Sequence, residues 1–494
     1  MSSSLEQLFE PPAPAYFRHI RDKTTFEEIL LKDLAVPTGP GELEIGDKAT
    51  SSCDGYTREP RVDGGRDAWL FLVACFVLEA LIWGFSFSFG VFQAYYAKHP
   101  VFGKNPSGIA AIGTSSLGVM YLMAPVTLTV LEAFPGFHRW CSVVGLVISA
   151  LALILSSFAT QIWHLIITQG VMYAVGGSLL YAPTMFYLDQ WFEKRKGLAF
   201  GVMWSGVGAS GLVFPFALKA LLDTWGFEYT LRIWSIILVF LCAPLVYFIK
   251  PRVPVPSPPP PYKRSSYTFL YKPTFILLQL SNILESFGFF MPAIFLPTYA
   301  SYLNLSAHKG VIVLALLNLF SVVGAIGFGF LCDKMHISHV IAISTFGSTL
   351  SVFVFWGPAS EIRRLVIFAM VYGSFAGGYS ALWAGMMKEV QKVRGCETAS
   401  MGVLMGMFAA GRGLGAVASG PISEILLKKS LGGIAKGFAS DYGAIMVFTG
   451  ASAAAGGVGF FVTRRMRDQP ERDDGTDGND GDSVVNFSTS ATRR

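Results

Sequence analysis

Long apolar runs separated by short polar breaks organise this chain, and the runs are longer than a water-soluble core needs. A bilayer core takes about 20 residues of helix, and twelve runs come near that length. They cover roughly 68–92, 109–131, 141–158, 162–188, 197–217, 231–249, 274–297, 309–331, 339–357, 364–387, 399–422 and 443–463, with ends uncertain by a few residues. The third is short, and the twelfth is nearly all Ala and Gly from Ala451 to Gly459. The pattern predicts an all-α integral membrane protein with twelve transmembrane helices in two six-helix bundles.

The longest internal break, Lys250 to Lys272, carries a proline run from Pro254 to Pro261 that reads as a stiff linker. It divides the chain into an N-terminal bundle at 67–249, a linker at 250–273 and a C-terminal bundle at 274–465. Residues 1–66 and 466–494 are polar, the latter rich in Asp, Gly and Ser, and are expected to be disordered cytosolic tails. The polar start has no basic segment or early apolar stretch, so no cleavable signal is expected and the first membrane helix acts as the targeting signal.

Composition agrees with a bilayer and excludes an ordinary soluble enzyme: 52% of residues are hydrophobic, only 14% are charged, and the mean hydropathy is +0.49. The 52 glycines suit closely packed membrane helices. The net charge of +5 sits in scattered Lys and Arg between apolar runs, so it orients the protein in the membrane and is not read as a nucleic-acid surface. With both termini cytosolic, the inner segments hold about 19 Lys/Arg and the outer loops about 10, which fixes that orientation. The inner set includes Lys194, Arg195, Lys196, Lys250, Arg252, Lys263, Arg264, Lys388, Lys392 and Arg394. The six cysteines form no CxxC pair, so neither a disulfide framework nor a zinc site is expected, and no other metal or cofactor is called. Of the glycosylation sequons, Asn105 precedes Pro, Asn486 lies in the tail, and Asn304-Leu305-Ser306 is outside but close to the membrane.

Helices six apart share short patterns. Leu78-Glu79 matches Leu284-Glu285 in depth; Met172 to Ser178 resembles Val371 to Ser380 in its Tyr and small residues; Gly201-Val202-Met203 matches Gly402-Val403-Leu404. Duplicated bundles are a transporter device, with shared use of small residues for packing as the alternative reading.

Ionisable groups inside a membrane cost about 2.5–3.5 kcal/mol on insertion scales and are functional candidates by default. Three stand out: Glu79, Glu285 and Arg412. Arg412, in Ala410-Gly411-Arg412-Gly413-Leu414-Gly415, offers a planar fork to a carboxylate. The alternative is an arginine locked to Glu285 or to backbone carbonyls. Burial favours the neutral form of a carboxyl, so Glu79 and Glu285 are candidates to carry protons, or else plain interhelical hydrogen-bond donors. Asn282, Tyr181 and Asn318 are polar candidates for the substrate cavity, as is Gln169, each with packing as its alternative. The Phe residues of the first helix, Phe85, Phe87, Phe89 and Phe92, read as lipid or core contacts.

Gly329-Phe330-Leu331-Cys332-Asp333-Lys334 is similar to a loop motif of the major facilitator superfamily, with a degenerate counterpart at Glu132 to Arg139. Asp63-Gly64-Gly65, Ser88-Phe89-Gly90-Val91-Phe92 and the stretch Trp191 to Gly201 resemble the monocarboxylate-porter family, in particular its fungal branch. The resemblance covers about residues 63–465 and implies the major facilitator fold, with Gly329, Asp333 and Lys334 as a gating loop. Arg66-Asp67-Ala68-Trp69 departs from the pattern by one added residue and a charge. The eighth predicted helix also lacks the arginine that animal members use for substrate, so lactate-type specificity does not transfer.

These readings lead to a secondary active transporter, and not an enzyme, moving a small monocarboxylate-like organic anion or related metabolite by alternating access. Protons are the expected coupling partner, because the chain has no Gly-x-x-x-x-Gly-Lys-Ser/Thr motif for ATP. Efflux of a specialised metabolite is the alternative. A membrane enzyme would need a clustered nucleophile and base, whereas His138, His164, His308, His336 and His339 sit near interfaces or in loops; a nutrient sensor would carry a large soluble tail. The plasma membrane is the expected location, with the vacuolar membrane as its rival.

Overall fold

The computed structural model describes residues 61–104, 106–252, 267–427 and 442–462. Most of both expected tails and of the expected linker lies outside these residues, as do Cys53, Asn105, Lys263, Arg264 and Asn486. Among the described residues the chain is helical throughout, and ten of its helices are long and apolar enough to cross a membrane.

In chain order these are α1 (Arg66–Lys98), α2 (Gly108–Ala133), α4 (Ile162–Trp191), α5 (Lys196–Phe248), α6 (Pro273–Tyr302), α7 (His308–Lys334), α8 (Ile337–Trp356), α9 (Ile362–Gln391), α10 (Met401–Leu427) and α11 (Gly443–Phe461). Between α2 and α4 lies α3 (His138–Ser156), whose apolar part, Trp140–Ser156, is shorter. Each expected run thus falls largely within a described helix, but the break between the fifth and sixth runs does not appear as a helix end and other ends move. α1 continues to Lys98, beyond the expected end at residue 92, because the backbone turns helical again after Ser88. α11 ends in a tighter 3₁₀ stretch over Gly456–Phe461, where the run of Ala and Gly offers little side chain to hold a wider turn.

α5 contains 53 residues and departs from helical geometry at Gly226, with φ 75° and ψ 176°. Only glycine adopts that backbone readily, so the fifth and sixth predicted runs become two limbs joined at one residue. Prolines inside α2, α4, α5, α6 and α10 do not end their helices. Packing against neighbours compensates for the lost hydrogen bonds.

α5 packs along α1, α3 and α7, and α10 packs along α2 and α6. The α5–α7 contact needs bare backbone: a Cβ on Gly201 would run into the Ala325 carbonyl, and one on Gly329 into that of Gly197. Such contacts hold membrane helices together through close packing, since lipid supplies no hydrophobic drive between them.

Candidate functional site

Asn282, Glu285 and Phe289 fall at i, i+3 and i+7 of α6 and so share one face of that helix. Opposite them on α10 lies Arg412, 1% exposed, whose Nη1 donates to Glu285 Oε2 at 2.9 Å. Its guanidinium carbon stands 3.8 Å over the centroid of the Phe289 ring. Arg412 Nε is buried and has no hydrogen-bond partner among the described residues, so the pair leaves one guanidinium donor unused. The predicted alternative for Arg412, a pairing with Glu285, is thus the arrangement observed. The flanking glycines serve that packing: a Cβ on Gly411 would strike Gln279 of α6, and one on Gly415 would strike Ser286.

Asn282 is fully buried; its Nδ2 donates to Phe408 O at 2.7 Å and its Oδ1 accepts from Trp383 Nε1 at 2.9 Å. Trp383 meets Trp204 of α5 edge to face at 5.4 Å. Trp204 in turn lies 6.0 Å from Trp83 of α1, which stands 4.3 Å from Tyr121 and 5.3 Å from Tyr181. Tyr121 of α2 packs against α10 at Gly413, the residue after Arg412, which closes the cluster.

Glu79 is fully buried one turn before Trp83. Its Oε1 accepts from Thr184 Oγ1 at 3.1 Å, and its Oε2 has no partner among the described residues. The two repeated carboxyls therefore differ: Glu285 faces a cation, Glu79 a hydroxyl. No hydrogen bond or ion pair joins them directly among the described residues.

Other candidates lie in helix contacts. Tyr181 donates to Met120 O at 3.2 Å, Asn318 Nδ2 to Gly211 O at 2.9 Å, and Tyr96 to Gln169 Oε1 at 2.9 Å. Phe85 and Phe92 pack against each other at 5.4 Å within the core.

At the start of α5, two carboxylates from distant parts of the chain seize exposed backbone N–H groups. Asp333, from the end of α7, accepts from Gly197 N and Leu198 N, each at 2.8 Å, with Lys388 Nζ 3.6 Å away. Lys196 pairs with Asp189 beside it. Gly329 packs beneath this clamp, while Lys334 lies over the Phe330 ring at 5.8 Å. Asp63 accepts from the N–H groups of Glu193, Lys194 and Arg195 at 2.9–3.0 Å. Partial burial works to raise the Asp63 carboxyl, but these donors and the Lys194 charge outweigh it and hold the carboxyl below its ordinary value.

Sequence reasoning missed Asp63 as a clamp and passed over Trp83, Trp204 and Trp383. A signal existed for Trp83, which falls mid-run, away from the interfacial belt that Trp favours, whereas Trp204 and Trp383 lie nearer the ends of theirs.

Residues 71–420 match the sequence profile of the Major Facilitator Superfamily. The chain belongs to this superfamily. Its relatives include the fungal "MFS transporter asaE" of Aspergillus flavus, 25% identical over 82% of this chain and 88% of that protein. The "Fujikurins efflux protein" of Gibberella fujikuroi is 23% identical over 79% of this chain and 83% of that protein. The "Uncharacterized transporter ESBP6" of Saccharomyces cerevisiae is 29% identical over 68% of this chain and 51% of its own length. As a major facilitator protein with ten long apolar helices, the chain is a multi-pass membrane transporter of small molecules.

Proposed function

We propose that this protein is a proton-coupled secondary transporter of an organic anion, built as twelve transmembrane helices in two six-helix bundles. The ten long spans, the shorter α3 and the kink that divides α5 at Gly226 support the count. On this reading both termini and the proline-rich linker are cytosolic, and the plasma membrane is the site of action.

The observation that carries the proposal is the buried Arg412–Glu285 pair with its unused Nε donor. An anion entering the site competes with Glu285 for the guanidinium, and protonation of Glu285 releases the arginine to it. Substrate and proton thereby favour the same state, which is the coupling a symporter needs. Glu79, with one oxygen unpartnered, is a second proton site in the other bundle. Asn282, held between Trp383 and the α10 backbone, orients the anion's far side, with Tyr181 and Asn318 supporting the cavity walls. Gly329, Asp333 and Lys334 form the gate whose carboxylate holds α5 closed against α7.

The test is uptake of a panel of organic acids into proteoliposomes with and without an imposed pH gradient. Gradient-driven accumulation of an acid supports the proposal; equal, gradient-insensitive leakage in every condition refutes it. Export of a specialised metabolite is the second reading, supported by the relative named for fujikurin efflux, and it would require proton and substrate to compete for Arg412 and Glu285 in place of binding together. The monocarboxylate-porter resemblance is kept as a proposal about ancestry and substrate charge.

A further inference from the structure

Three tryptophans cross the middle of the molecule in edge-to-face or tilted contact, and their polar atoms are not all used. Trp204 lies eight residues into α5 and Trp83 seventeen into α1, roughly 12 and 26 Å along their helices. Trp204 is more than nine-tenths buried, yet its indole N–H, like that of the fully buried Trp83, has no partner among the described residues. A buried donor left without an acceptor is destabilising, because it gives up its water and gains nothing. Packing alone would be served as well by Phe at this position. The neighbouring Trp383 shows the satisfied alternative, with its N–H on Asn282.

Two ring steps separate this spare donor from the anion anchor. From Arg412 the path runs through Tyr121, which packs on the neighbouring Gly413, to Trp83, at 4.3 Å between centroids, and then to Trp204 at 6.0 Å. A three-carbon acid spans about 3 Å from carboxylate carbon to its last atom. Held by Arg412, it would leave Trp204 untouched.

We infer that the site takes a flat, ring-bearing organic acid whose carboxylate sits on Arg412 and whose far edge carries an oxygen acceptor for Trp204 Nε1. The ring lies in the place that Tyr121 and Trp83 now close by contact, between aromatic faces that favour offset stacking and edge contacts. The carboxylate fixes one end, the indole donor reads the other, and the rings set the thickness. Short aliphatic acids meet the first requirement alone. This inference rests on the anion-site reading of Arg412 and adds the substrate's size, planarity and second polar group.

The test is equilibrium binding of radiolabelled 6-hydroxy-2-naphthoate to the full chain in lipid nanodiscs, with 2-naphthoate, pyruvate and the methyl ester of hydroxynaphthoate as competitors. The expected order places hydroxynaphthoate at least 100-fold ahead of pyruvate. Trp204→Phe should weaken hydroxynaphthoate about tenfold and leave 2-naphthoate within twofold. Trp204→Tyr, which restores a donor near that place, should recover part of the loss and serves if the Phe variant does not fold. Arg412→Ala should weaken both naphthoates and pyruvate while sparing the ester. Pyruvate competing as well as hydroxynaphthoate, absence of binding by either naphthoate, or a Trp204→Phe effect equal for both naphthoates would overturn the inference. Unchanged acid binding in Arg412→Ala, with the ring preference intact, would instead remove the anion-anchor reading beneath it.

Discussion

The Arg412 guanidinium lies 1% exposed among apolar side chains, so its position depends on what pairs with it. Glu285 does so with one hydrogen bond, and Phe289 covers the guanidinium face. Arg412→Lys keeps the charge but loses the planar fork, and carboxylate binding should weaken by about 1.5–3 kcal/mol, read as a higher apparent KM for the acid. Arg412→Ala should be worse for acids and near neutral for uncharged analogues. Glu285→Gln keeps the shape but cannot titrate; accumulation driven by a pH gradient should be lost while counterflow exchange survives. Glu79→Gln should show the same split if that carboxyl carries the second proton, and unchanged gradient-driven transport in both variants would make them structural. The three intramembrane charges were legible in the sequence because a charge within an apolar run is rare by cost. Their partners were only half legible: the Arg412–Glu285 pairing was one of two readings, while Thr184 as the partner of Glu79 has no signal in spacing, since it joins residues 105 apart.

α5 begins where the structure is most strongly cross-tied. Asp63 holds the N–H groups of residues 193–195, just ahead of the helix, and Asp333 those of 197 and 198 in its first turn, so Asp333 caps the helix from outside while Asp63 pins the turn that leads into it. Asp63→Ala should lower stability by about 0.5–1.5 kcal/mol, measured by thermal unfolding in detergent. The folded-state carboxyl is lowered, so its contribution is complete above the ordinary carboxylate value and is lost as pH falls through the folded value. Wild type should therefore lose stability more steeply than Asp63→Ala on acidification below about pH 4. Further along, Gly201→Leu should push α5 from α7 and cost about 1–3 kcal/mol, as overpacking does. The apolar period located these helices well because the bilayer sets their length. It did not reveal that α1 resumes after Ser88 or that Gly226 joins two runs, since each depends on the backbone of a single residue.

At the scale of the molecule, contacts of α5 with α7 and of α2 with α10 join elements on either side of residue 250. The proposed orientation, argued from the Lys/Arg asymmetry, has residue 258 inside and residue 304 outside. A single cysteine at 304 should be labelled by an impermeant reagent on sealed cells, whereas one at 258 should be protected; labelling at 258 would reverse the orientation. The short repeated strings are matched by unequal chemistry, with the cation on one side of residue 250 and the Trp83 and Trp204 rings on the other. On the proposed reading that asymmetry sets an anchor against an aromatic wall. The most direct measurement is accumulation of an organic acid in proteoliposomes under an imposed proton gradient, comparing wild type with Arg412→Ala and Glu285→Gln. The account predicts saturable accumulation above equilibrium that collapses with a protonophore, falls in apparent affinity without Arg412 and loses its response to the gradient without Glu285. Accumulation that proceeds with unchanged affinity and unchanged gradient dependence in both variants would contradict it.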